Sequence, residues 1–179
     1  MRRTKKAAQL LQAALLLLPF GCAKNIPASK PPLNNELFDQ RLTSLLRFNV
    51  DLMGVDQLQQ QQDTFFILDT RTAEEFAVSH IPGARHLGYR NLNKSVLNDI
   101  PKDAPIVLYC SVGYRSERVG NRLKRIGYQN VHNLYGSIFE WVNHGYPVVT
   151  PDGQKTQKIH TYNRKWSRWV NQSSVKKVW

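Results

Sequence analysis

Residues 105–126 read PIVLYCSVGYRSERVGNRLKRI, in which an apolar run is followed by a short loop that opens with Cys110. The run does not alternate between apolar and polar residues, which is typical of a strand buried on both faces of a parallel sheet. Apolar residues then recur at helical spacing over 116–126, and Gly127 follows as the residue that most easily ends a helix. The stretch therefore predicts a strand, a loop and an amphipathic helix, with the cysteine at the carboxyl end of the strand.

Similar strand patterns lie on both sides of this unit. A second unbroken apolar run occupies 64–69, and weaker strand patterns occupy 48–50, 85–88 and 130–134. Their short length and their β-branched and aromatic residues favour strands over helices. These runs predict a sheet of about five strands.

Helix signals separate the strand patterns. Thr72–Glu75 and Ser137–Glu140 both match the capping box, in which a hydroxyl and a carboxylate satisfy free backbone donors at a helix start. Leucines at near-helical spacing predict a further short helix over 35–48. Strands and helices that alternate in this way predict an α/β domain over about 48–150, with a doubly wound sheet of mostly parallel strands and helices on both faces.

Residues 1–22 have the composition of a secretory signal, with a basic start, a short apolar run and a Gly-Cys ending that resembles a bacterial lipobox. Cys22 is the predicted lipidation site, which would make the protein an exported, membrane-anchored lipoprotein on the periplasmic side. An ordinary signal would leave it soluble in the periplasm or anchored by the uncleaved signal. A buried cysteine on a cytosolic helix is the third possibility.

Three further segments follow the signal. Residues 23–36 are rich in proline and asparagine and predict a tether, 37–150 contain the domain, and 151–179 form a basic extension with three of the four tryptophans. Cationic and tryptophan side chains together favour binding of the extension to a membrane surface. The alternative is a tail packed on its own domain.

The net charge of +12 is concentrated in the two ends of the chain. Residues 1–22 carry +4 and 151–179 carry +6, which leaves +2 for the remaining residues. A nearly neutral body with basic ends argues against a nucleic-acid partner and favours contact with an anionic surface such as lipid head groups.

Cys110 has the surroundings of a reactive cysteine. Ligands of open α/β sheets bind at the carboxyl ends of strands, where this residue falls. Backbone N–H groups of the loop, the helix N-terminus and Arg115 would all favour a thiolate over a thiol. Gly113 would allow the tight turn, and Arg115 would hold an anionic substrate. The alternative is an inert, small apolar residue at a strand end.

Four motifs resemble those of the rhodanese-like sulfurtransferases, in the same order and over about 100 residues. Cys110–Ser116 resembles the family's Cys-x-x-Gly-x-Arg-Ser active-site loop. Residues 68–76 resemble its Asp-x-Arg strand end and following helix, 80–84 its His-Ile-x-Gly-Ala turn, and 134–148 its closing strand and helix. Ser137 stands where many relatives have a second glycine, and we interpret it as a helix cap with little effect on the chemistry.

The resemblance implies a double displacement with Cys110 as the catalytic residue. Its thiolate would attack the outer sulfur of a donor such as thiosulfate or a persulfide and pass the bound sulfur to a thiol or cyanide acceptor. The substrate-binding residues implied by the loop motif are Ser111, Val112, Gly113, Tyr114, Arg115 and Ser116. Asp69 and Arg71 are expected to form a structural pair near the loop. No metal or organic cofactor is implied, and the five histidines show no metal-site spacing.

Two other functions compete with sulfur transfer. Cysteine phosphatases also bind an anion between a strand and a helix, but they use Cys-x5-Arg, whereas four residues separate Cys110 from Arg115. The second is a rhodanese module that acts as a protein-binding or regulatory domain, against which the intact Cys110 and Arg115 argue. Activity of the isolated domain would distinguish these functions.

Overall fold

The computed structural model describes residues 24–179, so the predicted signal and Cys22 lie outside the described residues. Five strands form the central sheet: β1 Asp51–Met53, β2 Phe66–Asp69, β3 Arg85–His86, β4 Ile106–Tyr109 and β5 Val131–Leu134. Their order is β1-β5-β4-β2-β3, and every neighbouring pair is parallel. The prediction of about five mostly parallel strands is confirmed, and Cys110 follows the central strand.

Helices cover both faces of this sheet. They are α1 Glu36–Leu45, α2 Val55–Gln60, α3 Ala73–Val78, α4 Tyr114–Arg125 and α5 Ser137–Asn143. Buried residues of α1, α2 and α5 pack with Val107 and Tyr109 of β4, whereas those of α4 pack with Ile106 and Leu108. Successive residues of β4 thus enter opposite cores, because side chains of a strand alternate between its faces. The doubly wound α/β fold is confirmed.

The first strand starts later than predicted, because the chain turns before it. The Glu117 carboxylate accepts hydrogen bonds from the backbone N–H groups of Arg47 and Phe48. Phe48 has a φ of 59°, a left-handed conformation that no strand contains. The apolar pattern at 48–50 therefore begins with a turn, and the prediction of a strand there is wrong. The six residues of α2, which were not predicted, are too few to show a helical repeat.

The segment predicted as a tether lies along the domain without forming a helix or strand in residues 24–35. The Nζ of Lys24 donates to the carbonyl oxygens of Thr43, Ser44 and Leu46 at 2.6–3.0 Å. These contacts fix the start of the described chain at the end of α1.

The C-terminal extension packs on its own domain, as the second of its two interpretations has it. Its first strand, β7 Lys155–Thr156, pairs with β6 Val148–Val149 at the end of the domain, and β8 Lys158–His160 pairs with β9 Lys176–Val178. Trp169 stacks on Phe38 of α1 with ring centroids 5.3 Å apart, and Val170 is 1% exposed. Among the helices of residues 24–179, none has the length and apolar character needed to span a bilayer.

Candidate active site

Cys110 lies in a tight loop between β4 and α4. The helix starts at Tyr114, two residues earlier than predicted, so the loop consists of four residues only. Gly113 caps the helix with a φ of 106°, a conformation that L side chains rarely adopt. This conformation directs its N–H to the sulfur of Cys110, at an N–Sγ distance of 3.2 Å. The glycine is therefore required by the geometry that supports the sulfur.

The surroundings of Cys110 favour its thiolate. Burial raises the pKa of the thiol, but the charge of Arg115 and the backbone N–H groups of Ser116, Val112 and Gly113 lower it by more. The net effect is a pKa below the usual value of cysteine. Since the thiolate is the nucleophilic form, the loop prepares this residue for nucleophilic attack.

Arg115 is held by Glu75, a partner that the sequence did not identify. Its two terminal nitrogens donate to the two carboxylate oxygens at 2.7 Å each, and Nη2 also donates to the Oγ of Ser111 at 3.0 Å. Glu75 is 2% exposed. Burial raises the pKa of Glu75, but Arg115, the Thr72 N–H and Arg71 lower it to about 2. The two residues form a bidentate ion pair next to the cysteine, in which Glu75 is buried and Arg115 partly buried.

This ion pair gives Arg115 a task beyond the predicted binding of an anionic substrate. Its guanidinium lies between Glu75 and Cys110, and three of its N–H groups are already engaged. The Glu75 carboxylate holds the Arg115 guanidinium in a position where the cation stabilises the Cys110 thiolate. The negative charge of the carboxylate also offsets the positive charge of Arg115. Glu75 was visible in the sequence as part of the α3 capping box, which is present, but only the folded chain brings it to Arg115.

Asp69 and Arg71 form a fully buried ion pair, with Arg71 Nη2 at 2.6 Å from a carboxylate oxygen of Asp69. The same nitrogen donates to the carbonyl oxygen of Ser79, and the Arg71 guanidinium lies over the ring of Tyr109 at 5.7 Å. The pair thus joins the end of β2 to the end of β4, beside the loop. It does not line the cavity at Cys110.

The predicted capping box at Ser137 is wrong. Gly136 caps α5 instead, and Ser137 follows it with a φ of 53°. In this conformation the Ser137 hydroxyl donates to the carbonyl oxygen of Leu134 at 3.0 Å and accepts from the N–H of Cys110 at 3.2 Å. Ser137 therefore supports the backbone of the cysteine, whereas the sequence interpretation gave it little effect on the chemistry.

We expect Ser137→Ala to lower the free energy of unfolding by about 1–3 kcal/mol, because the buried N–H of Cys110 loses its partner. Alanine also keeps the unfavourable positive φ, whereas Ser137→Gly relieves it, so the glycine variant should lose less. Urea denaturation of the two variants measures the difference. Equal losses would contradict the backbone contribution, and no loss in either would contradict the hydrogen bond.

A cavity of about 300 Å³ opens at Cys110. The loop and the start of α4 contribute Cys110, Ser111, Tyr114 and Arg115, and the rest of the wall consists of Leu45, Tyr89, Tyr162 and Trp166. Of the six predicted substrate-binding residues, Ser111, Tyr114 and Arg115 thus line the cavity. The other three, Val112, Gly113 and Ser116, support the sulfur of Cys110 through their N–H groups. The sequence did not identify Tyr162 and Trp166, since nothing in a polar extension indicates which of its aromatic residues returns to the site.

Within residues 24–179, no group of three or more histidine, cysteine, aspartate and glutamate side chains is arranged to hold a metal ion. His80, the first residue of the 80–84 turn motif, lies with its Nδ1 3.2 Å from the carbonyl oxygen of Phe76.

Comparison with known proteins places these features in a family context. The family model of the rhodanese-like domain matches residues 54–144. A protein of Allochromatium vinosum named "Sulfurtransferase" is 36% identical over 104 residues, which cover 58% of this chain and 96% of that protein. "Thiosulfate sulfurtransferase GlpE" of Tolumonas auensis is 33% identical over 83 residues, or 46% of this chain and 76% of the relative.

The fold is also found among solved structures. The solution structure of a rhodanese-like domain from Anabaena matches with a TM-score of 0.52 and 22% identity, and the match covers 55% of this chain and 78% of that one. At this identity the match shows the fold alone.

Proposed function

The chain belongs to the rhodanese-like domain family, and we propose that it moves sulfane sulfur from a donor to an acceptor through a persulfide on Cys110. The observation that carries this proposal is the environment of the sulfur, which the partly buried cation of Arg115 and three backbone N–H groups stabilise as a thiolate at a cavity. Preorganised donors of this kind stabilise negative charge on the reacting atom. The relative named as a thiosulfate sulfurtransferase supports thiosulfate as a donor.

The proposed reaction has two displacements at the same sulfur. The Cys110 thiolate attacks the outer sulfur of thiosulfate, a new S–S bond forms, and the old S–S bond breaks with its electron pair leaving on sulfite. The persulfide anion remains on the enzyme. A thiolate or cyanide then attacks the outer sulfur, takes it as a persulfide or as thiocyanate, and restores the Cys110 thiolate. No oxidant or reductant is consumed.

Mass spectrometry of the intact protein tests the proposal. Incubation with thiosulfate should add the mass of one sulfur atom, located in the peptide that contains Cys110. Cyanide should then remove this mass and release an equal amount of thiocyanate. A protein that takes up no sulfur from thiosulfate or from any persulfide would disprove the proposal, and binding of a partner protein through the same loop would then favour a binding module.

We propose further that Cys22 carries a lipid that anchors the exported protein to a membrane on the periplasmic side. The basic start, the short apolar run and Gly21 support this proposal. Metabolic labelling with a fatty-acid analogue should label the wild-type protein, whereas Cys22→Ser should remain unlabelled and soluble. Equal labelling of the two would rule out this attachment site, and an unlabelled, soluble wild type would favour an ordinary cleaved signal.

A further inference from the structure

We propose that the C-terminal extension completes the substrate site and selects organic sulfur compounds with an apolar, aromatic body over small inorganic anions. This inference rests on the proposed sulfur transfer at Cys110 and concerns the identity of its substrates. It comes from the two aromatic residues of the extension, Tyr162 and Trp166, that form part of the cavity wall.

The extension is fixed in this position by buried contacts. Thr161 is fully buried, and its N–H donates to the carbonyl oxygen of Val178 at 2.7 Å. The side chain of Asn143 in α5 donates to the carbonyl oxygen of Trp169 and accepts from the N–H of Asn171. Tyr162 and Trp166 therefore have a fixed position in the domain, because the segments before and after them are anchored.

Tyr162 has a backbone conformation that presents its ring to the site. Its φ is 65°, which is unusual for a bulky residue. The Nδ1 of His160 accepts its N–H at 3.1 Å and holds this conformation. The ring centroid lies 5.6 Å from the guanidinium carbon of Arg115, within the range of a cation–π contact. Strained residues of this kind cluster at functional sites.

The charges at the cavity do not favour a small dianion. Among the described residues that line the cavity, Arg115 is the one charged side chain other than the thiolate of Cys110. Its positive charge is already offset by Glu75, so the three groups together carry one negative charge when the cysteine is ionised. Within the wall itself thiosulfate, with two negative charges, meets no uncompensated cation, and Arg118 and Arg122 lie behind the rings of Tyr114 and Tyr89. An aromatic body gains contact with the rings of the wall.

The volume of the cavity also favours an organic substrate. Small-molecule sites usually begin at about 300 Å³ and are lined mostly by apolar and aromatic side chains. The cavity has this volume, and Leu45 and Trp166 face it together with three tyrosines, Tyr89, Tyr114 and Tyr162. It therefore accommodates an organic substituent next to the reacting sulfur.

Thiosulfonates provide a matched set of donors, because they share the reacting group and the charge and differ in the body. The Cys110 thiolate attacks the outer sulfur, the bond between this sulfur and the sulfonyl sulfur breaks, and the electron pair leaves on the sulfinate. Benzenethiosulfonate carries an aromatic ring, and methanethiosulfonate carries a methyl group. Their rates with free cysteine correct for intrinsic reactivity.

The experiment measures kcat/KM of the full-length protein for both donors, with cyanide as the acceptor. After correction, we expect the wild type to prefer benzenethiosulfonate by about tenfold or more. Trp166→Ala and Tyr162→Gly should reduce this ratio to about twofold or less. Glycine suits the positive φ, so that variant removes the ring and keeps the backbone. Trp179→Ala is the control, because this exposed tryptophan of the same extension lies outside the cavity.

The possible results distinguish a failure of the inference from a failure of the proposed sulfur transfer. A corrected ratio near one in the wild type would overturn the inference and leave the proposed sulfur transfer intact, provided that thiosulfate still loads Cys110. A ratio that persists in both folded variants would overturn the role of the extension. If Trp166→Ala does not fold, Tyr162→Gly decides. A wild type that takes sulfur from none of the three donors would overturn the inference and the proposed function together.

Discussion

The Cys110→Ser variant should take up no sulfur, and its thiocyanate production should fall by at least about a thousandfold. A serine hydroxyl stays protonated at neutral pH and is a far weaker nucleophile than a thiolate, whereas the cavity and the N–H groups around it stabilise a sulfur anion. The fold should be retained, because serine is close to cysteine in size. Thiocyanate release and the mass of the intact variant after incubation with thiosulfate measure the effect.

Cys22→Ser is the matched control for this variant, since the chain has two cysteines. It should keep the wild-type rate and carry sulfur on the Cys110 peptide. If Cys110→Ser produces thiocyanate at the wild-type rate, the mechanism is wrong. If both single variants lose sulfur uptake, the two cysteines act together and the single-residue persulfide is disproved.

The Glu75→Gln variant should lower the free energy of unfolding by about 3 kcal/mol at neutral pH. Glutamine keeps the shape of the side chain and an oxygen for the Thr72 N–H, but it leaves Arg115 partly buried without its counter-charge. Breaking one partner of a buried ion pair typically costs about 3–5 kcal/mol. Glu74→Gln is the control on the same helix, because that side chain is exposed and has no buried counter-charge, and it should change the stability far less than Glu75→Gln.

The same carboxylate predicts how stability depends on pH. Its pKa is about 2 in the folded protein, against 4.5 for the unperturbed group. A group whose pKa is lowered by folding contributes stability above its unfolded pKa and loses this contribution as the pH falls through the folded pKa. Wild-type stability should therefore decrease between about pH 4.5 and pH 2, and Glu75→Gln should lack this part of the decrease. Parallel pH profiles of the two proteins would contradict the assignment.

The strand patterns around Cys110 and the order of the motifs were sufficient to predict the domain from the sequence. Long unbroken apolar runs such as 105–110 have one stable location, the centre of a sheet covered on both faces. The turn at Phe48 was not predictable, because it depends on a carboxylate of Glu117 that is distant in the sequence. A sequence pattern of a few residues does not predict the backbone conformation where a contact from a distant element determines it.

The candidate site, like the fold, was predicted from the sequence only in part. Local chemistry identified Cys110 and its loop, because the strand end, the glycine and the helix start adjoin one another in sequence. Four other residues are brought to the site only by the tertiary fold: Glu75, Ser137, Tyr162 and Trp166. The capping-box pattern at Ser137 was misleading, since the positive φ values at Gly136 and Ser137 turn the hydroxyl toward Cys110.

The burial of Cys110 also determines how the protein responds to oxidation. Its exposed fraction is 1%, and within residues 24–179 it is the single cysteine. An intermolecular disulfide requires the two Cβ atoms to approach to about 4 Å, which the chain surrounding this thiol prevents in two folded copies. We therefore expect covalent dimers that join two Cys110 residues to form only from unfolded protein. A small oxidant such as peroxide can enter the cavity and oxidise the Cys110 thiolate to a sulfenic acid, which one small thiol converts to a mixed disulfide with loss of water and a second thiol reduces back to the thiolate.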